Sequence, residues 1–145
     1  MYPRSRRRAV GTRTLVVALA LLLAGCVYYP TVGDIGGARL SPERGRVVRN
    51  GDGALFFVDI TNTGISEDFL VRVEMPVAKR AQILGATGEP VEKLTVPPTR
   101  MLSLRAGAER VALSELTREL KAGEVVIVTL FFERMGAVGV VSSVE

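Results

Sequence analysis

Residues 124–133, Glu-Val-Val-Ile-Val-Thr-Leu-Phe-Phe-Glu, most constrain what this chain can become. The run from Val125 to Thr129 is β-branched throughout, and Leu130, Phe131 and Phe132 follow without a break. Such side chains crowd the preceding turn of a helix but fit a pleated surface. The run is of strand length and well short of the roughly 18 apolar residues that a spanning helix needs. Being apolar on both faces, it predicts a central strand covered on both sides, with Val126, Val128, Leu130 and Phe132 sharing one face. A central strand needs partners.

The candidates are short and punctuated by turn residues. Arg46–Arg49 is a brief strand, and Asn50-Gly51-Asp52-Gly53 supplies the positive φ angles of a tight hairpin. Ala54–Thr61 places Phe56, Val58 and Ile60 on one face, with Leu55, Phe57, Asp59 and Thr61 on the other. Phe69–Met75 alternates Phe69, Val71, Val73 and Met75 against Leu70, Arg72 and Glu74 before Pro76 stops it. Weaker strands are expected at 80–84, 91–96, 100–104 and 110–113, and a last one at 138–144. Ser114–Lys121 reads as the one helical turn, with Ser114 as cap and Leu116 and Leu120 four apart. Eight or nine short strands at this spacing predict an all-β Greek-key β-sandwich over residues 45–145.

The N-terminal segment follows other rules. Arg4, Arg6, Arg7, Arg8 and Arg13 precede the apolar stretch Leu15–Ala24, with no acidic residue among them. A basic leader, a short apolar core and small residues before a cut site make an export signal. Leu23-Ala24-Gly25-Cys26 resembles a bacterial lipobox, whose cysteine becomes the lipid-modified first residue of the mature chain. The expected organisation is therefore a cleaved lipoprotein signal peptide (1–25), a lipidated flexible tether (26–44) and the β-sandwich domain (45–145). Pro30, Gly33, Gly36, Gly37 and Pro42 punctuate the tether, whose residues 27–44 would span about 20–25 Å on average as a flexible coil. The expected location is the extracytoplasmic face of the cell membrane, held by the lipid on Cys26.

Cleavage changes the charge argument. The chain has 19 basic and 15 acidic residues, but five of the basic ones leave with the signal, so 14 face 15. The pI of 9.7 thus belongs to the leader and gives no support to a nucleic-acid partner. There is no histidine, which removes the commonest general base and transition-metal ligand. Lipidation of the single cysteine leaves no thiol for a disulfide.

Several segments in order resemble the PCu(A)C-type copper chaperones. These are Ala54-Leu-Phe-Phe-Val-Asp-Ile-Thr-Asn62-Thr-Gly64, Asp68-Phe-Leu70-Val-Arg-Val, Pro76-Val77-Ala78 and Arg105-Ala106-Gly107. Leu120-Lys-Ala-Gly123-Glu124 and Leu130-Phe-Phe132-Glu-Arg-Met-Gly136 complete the set. The resemblance implies a cupredoxin-like sandwich, of the immunoglobulin-like kind, and a copper site built from histidine and methionine. The family's first ligand position falls near Leu84 and its second in Leu94–Val96; the third reads as deleted, because Ala108–Leu120 is shorter than the family's segment. Copper(I) prefers soft sulfur and imidazole donors, and none stands at these positions. The chain is more similar to the LpqE-like lipoproteins of high-GC Gram-positive bacteria, which implies the sandwich, the lipobox and a degenerate metal site.

Other constellations are weaker. Met75, Met101 and Met135, the methionines of the mature chain, read first as fillers of core gaps and are the alternative copper ligands. Asp52, Asp59, Glu67 and Asp68 lack the regular spacing of a calcium loop and read as solvated turn residues. Ser66, Ser103, Ser114, Ser142 and Ser143 have no histidine to activate them and form no Gly-x-Ser-x-Gly elbow. Lys79 and Lys121 stand alone as bases, so an enzyme is not expected. Arg100, Arg105 and Arg110, five apart, fit neither a strand nor a helix stripe and read as rim charges or as contacts to an anion or acidic polymer. Two functions remain. One is a lipid-anchored module that binds an envelope protein or polymer without a cofactor, and the other is a copper chaperone that uses the three methionines.

Overall fold

The structure, a computed structural model, describes residues 37–145. The signal, Cys26 and most of the expected tether lie outside the described residues. Among the described residues nine strands form: β1 (Leu40–Asn50), β2 (Gly53–Asn62), β3 (Asp68–Glu74), β4 (Ala78–Leu84), β5 (Leu94–Val96), β6 (Met101–Leu104), β7 (Arg110–Leu116), β8 (Val125–Phe132) and β9 (Gly136–Val144).

β1 and β2 form the hairpin written in the sequence. Asn50 pairs with Gly53 across Gly51-Asp52, and Gly51 has a φ of 59°. The far edge of β2 is divided between two neighbours, with Ala54–Phe56 pairing with β7 and Val58–Thr61 with β6. One hydrogen-bonded path runs β4-β7-β2-β1-β9-β8-β3-β5, with β6 attached to β2. A short parallel seam, Gly45–Val47 against Ser142–Val144, joins the half containing β1 to the half containing β9. The result is an all-β Greek-key sandwich whose sheet curls toward closure.

The core lies between the two halves. Phe56, Ile60, Val111, Val128, Leu130 and Leu70 are fully buried within it. At the edge of this core Asn62 closes the β2–β3 connection. Its Oδ1 accepts the Gly64 amide at 2.9 Å and the Arg39 amide at 3.2 Å, while its Nδ2 donates to the Ser66 carbonyl at 2.8 Å. Gly64 is required for space: a Cβ there would run into the Gly37 carbonyl and lie 2.7 Å from the Arg39 amide nitrogen. The Asn62-Thr-Gly64 segment is therefore structural.

Four expectations are corrected. The sheet starts at Leu40, so residues 40–44 belong to β1 rather than to a tether, and Leu40 is buried. In β3 the expected alternation breaks at a bulge: Leu70 pairs with Phe132 but Arg72 with Phe131, leaving Val71 as the extra residue. Leu70 and Val73 consequently both face inward while Val71 is exposed. In β8 the face holding Val126, Val128, Leu130 and Phe132 is buried as expected, but the other is not covered. Val125 and Ile127 are 64% and 56% exposed, and Val141, opposite Ile127, is 69% exposed, because no third layer lies over them among the described residues.

The expected helical turn at 114–121 is strand at its start. Ser114 and Leu116 belong to β7 and pair with Arg80 and Ala78, and the Thr117 amide donates to the Val77 carbonyl at 2.8 Å. A single helical turn is marginal by itself, and the edge of β4 satisfies the same backbone groups. The four-residue spacing of Leu116 and Leu120 came from a strand end and the turn after it; Leu120 is buried there.

Candidate functional site

Aliphatic side chains occupy the positions at which the resemblance places copper ligands. Leu84 ends β4, half-buried, pairing with Arg110 and bridging to Pro90. Leu94 and Val96 are buried in β5, and Thr95 between them points outward. The 85–90 loop beside Leu84 closes on itself, with the Gly85 amide donating to the Glu89 carbonyl at 2.8 Å. The Thr87 hydroxyl donates to the Glu89 carboxylate, which this bond, backbone bonding and nearby Arg110 hold below the usual carboxylate range.

The three methionines are spread out. Met75 is buried in the core at the end of β3, whereas Met101 in β6 and Met135 in the β8–β9 turn are exposed. The Met135 amide is bonded to Asp68, at the start of β3, which puts Met75 about 23 Å further along that strand at strand rise. The acidic residues do not gather either: no three His, Cys, Asp or Glu side chains converge among the described residues. The Asp59 carboxylate is engaged by Arg44 and Ser103, and that of Asp68 by three amides, from Phe69, Arg134 and Met135. Ser142 is buried and donates to the Val140 carbonyl at 3.2 Å.

Of the three spaced arginines, Arg110 caps its own hairpin, donating to the Ala108 carbonyl at 2.9 Å. Arg105 goes elsewhere. It lines a groove of about 530 Å³ with Arg44 and Arg46 of β1, Phe57 and Asp59 of β2, Ser103 of β6 and Ser143 of β9. Sequence reading weighed Arg105 only with Arg100 and Arg110 and missed this group, whose members come from separate strands. A second hollow, of about 690 Å³, sits beside the β1–β2 hairpin and is lined by Arg49, Asp52, Arg118 and Leu120. There Arg118 is already spanned by both Glu124 oxygens, at 3.0 and 3.1 Å.

Local geometry sets the groove. β1 carries a bulge: Glu43 pairs with Asp59 and Arg46 with Phe57, so Arg44 and Gly45 together face Val58. Gly45 is hemmed in by Ser142 and Val140. Arg44 has a φ of 55°, a left-handed conformation that costs a side-chain-bearing residue roughly 1–2 kcal/mol. That twist carries the Arg44 guanidinium to Asp59 Oδ2 at 2.9 Å, while the Ser103 hydroxyl donates to Asp59 Oδ1. Arg46 lies 5.7 Å from the centre of the Phe57 ring. Arg105 makes no ion pair among the described residues.

The sequence model of the LpqE-like lipoprotein family matches residues 36–144. No curated protein matches the chain. Among solved structures it is similar to the copper-bound PCuAC domain from PmoF2, with 19% identity over 79% of this chain and 98% of that one, at a TM-score of 0.68. The apo PCuAC domain from PmoF1 is 29% identical over 78% of this chain and 97% of that one, at 0.62. Copper(I)-bound DR1885 from Deinococcus radiodurans is 23% identical over 87% of this chain and 85% of that one, at 0.63.

Proposed function

The chain belongs to the LpqE-like lipoprotein family, and from that premise we propose that it is a lipid-anchored binding module of the cell envelope rather than an enzyme or a copper carrier. Cys26, behind the basic and apolar leader, is the lipidation site. Two acyl chains on one residue give stable attachment, whereas one alone is marginal. The sandwich acts on the outer face of the membrane by binding an envelope protein or polymer.

What supports this reading is that Leu84 and Leu94–Val96 stand where the resemblance places soft ligands, in a chain without histidine. A fold does not carry its relatives' activity; the site does. The likeness to copper-bound PCuAC domains supports a second reading, copper transport through Met75, Met101 and Met135. Competition against a copper(I)-binding chromophore separates the two. The module reading expects no tight one-to-one binding. Tight binding that disappears when all three methionines become leucine establishes the carrier reading instead.

A further inference from the structure

We propose that the groove across β2 binds a phosphoryl oxyanion, presented by a phospholipid headgroup or by a soluble phosphate ester. The proposal rests on the reading of the chain as an envelope binding module and names the ligand chemistry of that module.

Three observations meet there. The first is charge. Arg44, Arg46 and Arg105 face one acid, Asp59, whose two oxygens are already occupied by Arg44 and Ser103. The residues lining the groove therefore carry two net positive charges, which the Glu145 carboxylate beside Arg46 reduces toward one. Arg46 has a loose second partner, Glu145 at 3.6 Å, with both side chains about half exposed. Guanidinium forks donate paired N–H bonds to phosphoryl oxygens, which suits an anion with several oxygens.

The second is placement. β1 and β6 both pair with β2, one on each side, so Arg44 and Arg46 rise from one flank of Phe57 and Asp59 while Ser103 and Arg105 rise from the other. Two strand spacings separate these flanks, about 10 Å, so side chains from both can reach one anion held over β2. The hollow of about 530 Å³ falls within the range of roughly 300–1,000 Å³ usual for small-ligand sites.

The third is strain. The left-handed residue of the β1 bulge is the position where glycine fits best, yet it is Arg44, aimed at Asp59 in the groove. Strained backbone clusters at ligand clamps and active sites; Thr99 and Glu115 share this φ, and Arg44 is the one of the three that lines the groove. The bulge presents Arg44.

The test uses the whole mature chain, residues 26–145, with Cys26→Ser so that no acyl chain attaches to vesicles. Inorganic phosphate is titrated against the amide NMR spectrum, with sodium chloride at matched ionic strength as the control. Sedimentation is measured with phosphatidylglycerol–phosphatidylcholine vesicles and with phosphatidylcholine alone. Saturable shifts at Arg44, Asp59, Ser103 and Arg105 are expected, weakened at least tenfold by Arg105→Ala and unchanged by Arg118→Ala. Sedimentation that needs both phosphatidylglycerol and Arg105 identifies a lipid headgroup as the source; phosphate binding without it identifies a soluble ester. Arg44→Gly is the second variant. It relieves the strain and should melt no lower than the parent, while also binding at least tenfold more weakly. No saturable shift in the groove and no phosphatidylglycerol-dependent sedimentation overturn the proposal, as does binding unaltered by Arg105→Ala. Such a failure leaves the envelope-module reading standing, because that reading is tested by copper competition and by fractionation of the acylated chain.

Discussion

Asp68 Oδ2 accepts the Met135 amide at 2.9 Å, so the first residue of β3 holds the turn between β8 and β9. The other oxygen accepts the amides of Phe69 and Arg134, at 2.8 and 2.9 Å, and the residue is fully buried. A residue that reads as solvated in the sequence is therefore a structural clamp. Asp68→Asn keeps the shape but turns an amide donor toward one of these N–H groups. It should lower stability by about 2 kcal/mol, within the ~1–3 kcal/mol cost of a buried polar group left unpaired. Urea unfolding measures it, and an unchanged midpoint would show that the turn does not depend on Asp68.

The two faces of β8 should respond differently. Phe132 is 3% exposed and packs in the core, so Phe132→Ala should cost roughly 3–5 kcal/mol. Ile127 on the open face should cost under about 1 kcal/mol when changed to Ala, as surface substitutions usually do. Equal losses of melting temperature in the two variants would contradict the strand phase.

Glu124 should titrate low. The Arg118 guanidinium bonds both its oxygens and the Lys121 amide bonds one, which holds its carboxyl below the usual carboxylate range. A carboxyl lowered in the folded state adds stability above its unfolded pKa, and that contribution fades as pH falls through the folded value. The contribution therefore fades on the acid side only. NMR titration of the Glu124 side chain should give a low midpoint that Arg118→Ala moves up toward the ordinary one; a midpoint indifferent to Arg118 would remove the assigned cause.

Anchoring should depend on one atom. If the Cys26 thiol carries the lipid, Cys26→Ala releases the protein from membranes or leaves the leader uncut. Fractionation and the mass of the N-terminus read this directly. A processed Cys26→Ala protein that still sediments with membranes contradicts the anchor.

The features legible along the chain were local ones. β-branched alternation and turn residues identified the strands and the inward face of β8, because side-chain period and turn chemistry are properties of neighbours along the chain. The matched motif segments likewise carried the family, and the missing histidine needed no coordinates. Tertiary pairing decided the rest. Ser114–Leu116 became strand because β4 offered its edge, and the inward order of β3 changed because a bulge absorbed Val71. The groove is the clearest case. Arg44 on β1, Asp59 on β2, and Ser103 and Arg105 in and just after β6 are brought together by the registers of β1 and β6 on β2, with Ser103 44 residues beyond Asp59. The β1–β2 register starts from a local turn, but no local pattern encodes that of β6 on β2, since a non-local register is set by which strands bury their faces against each other.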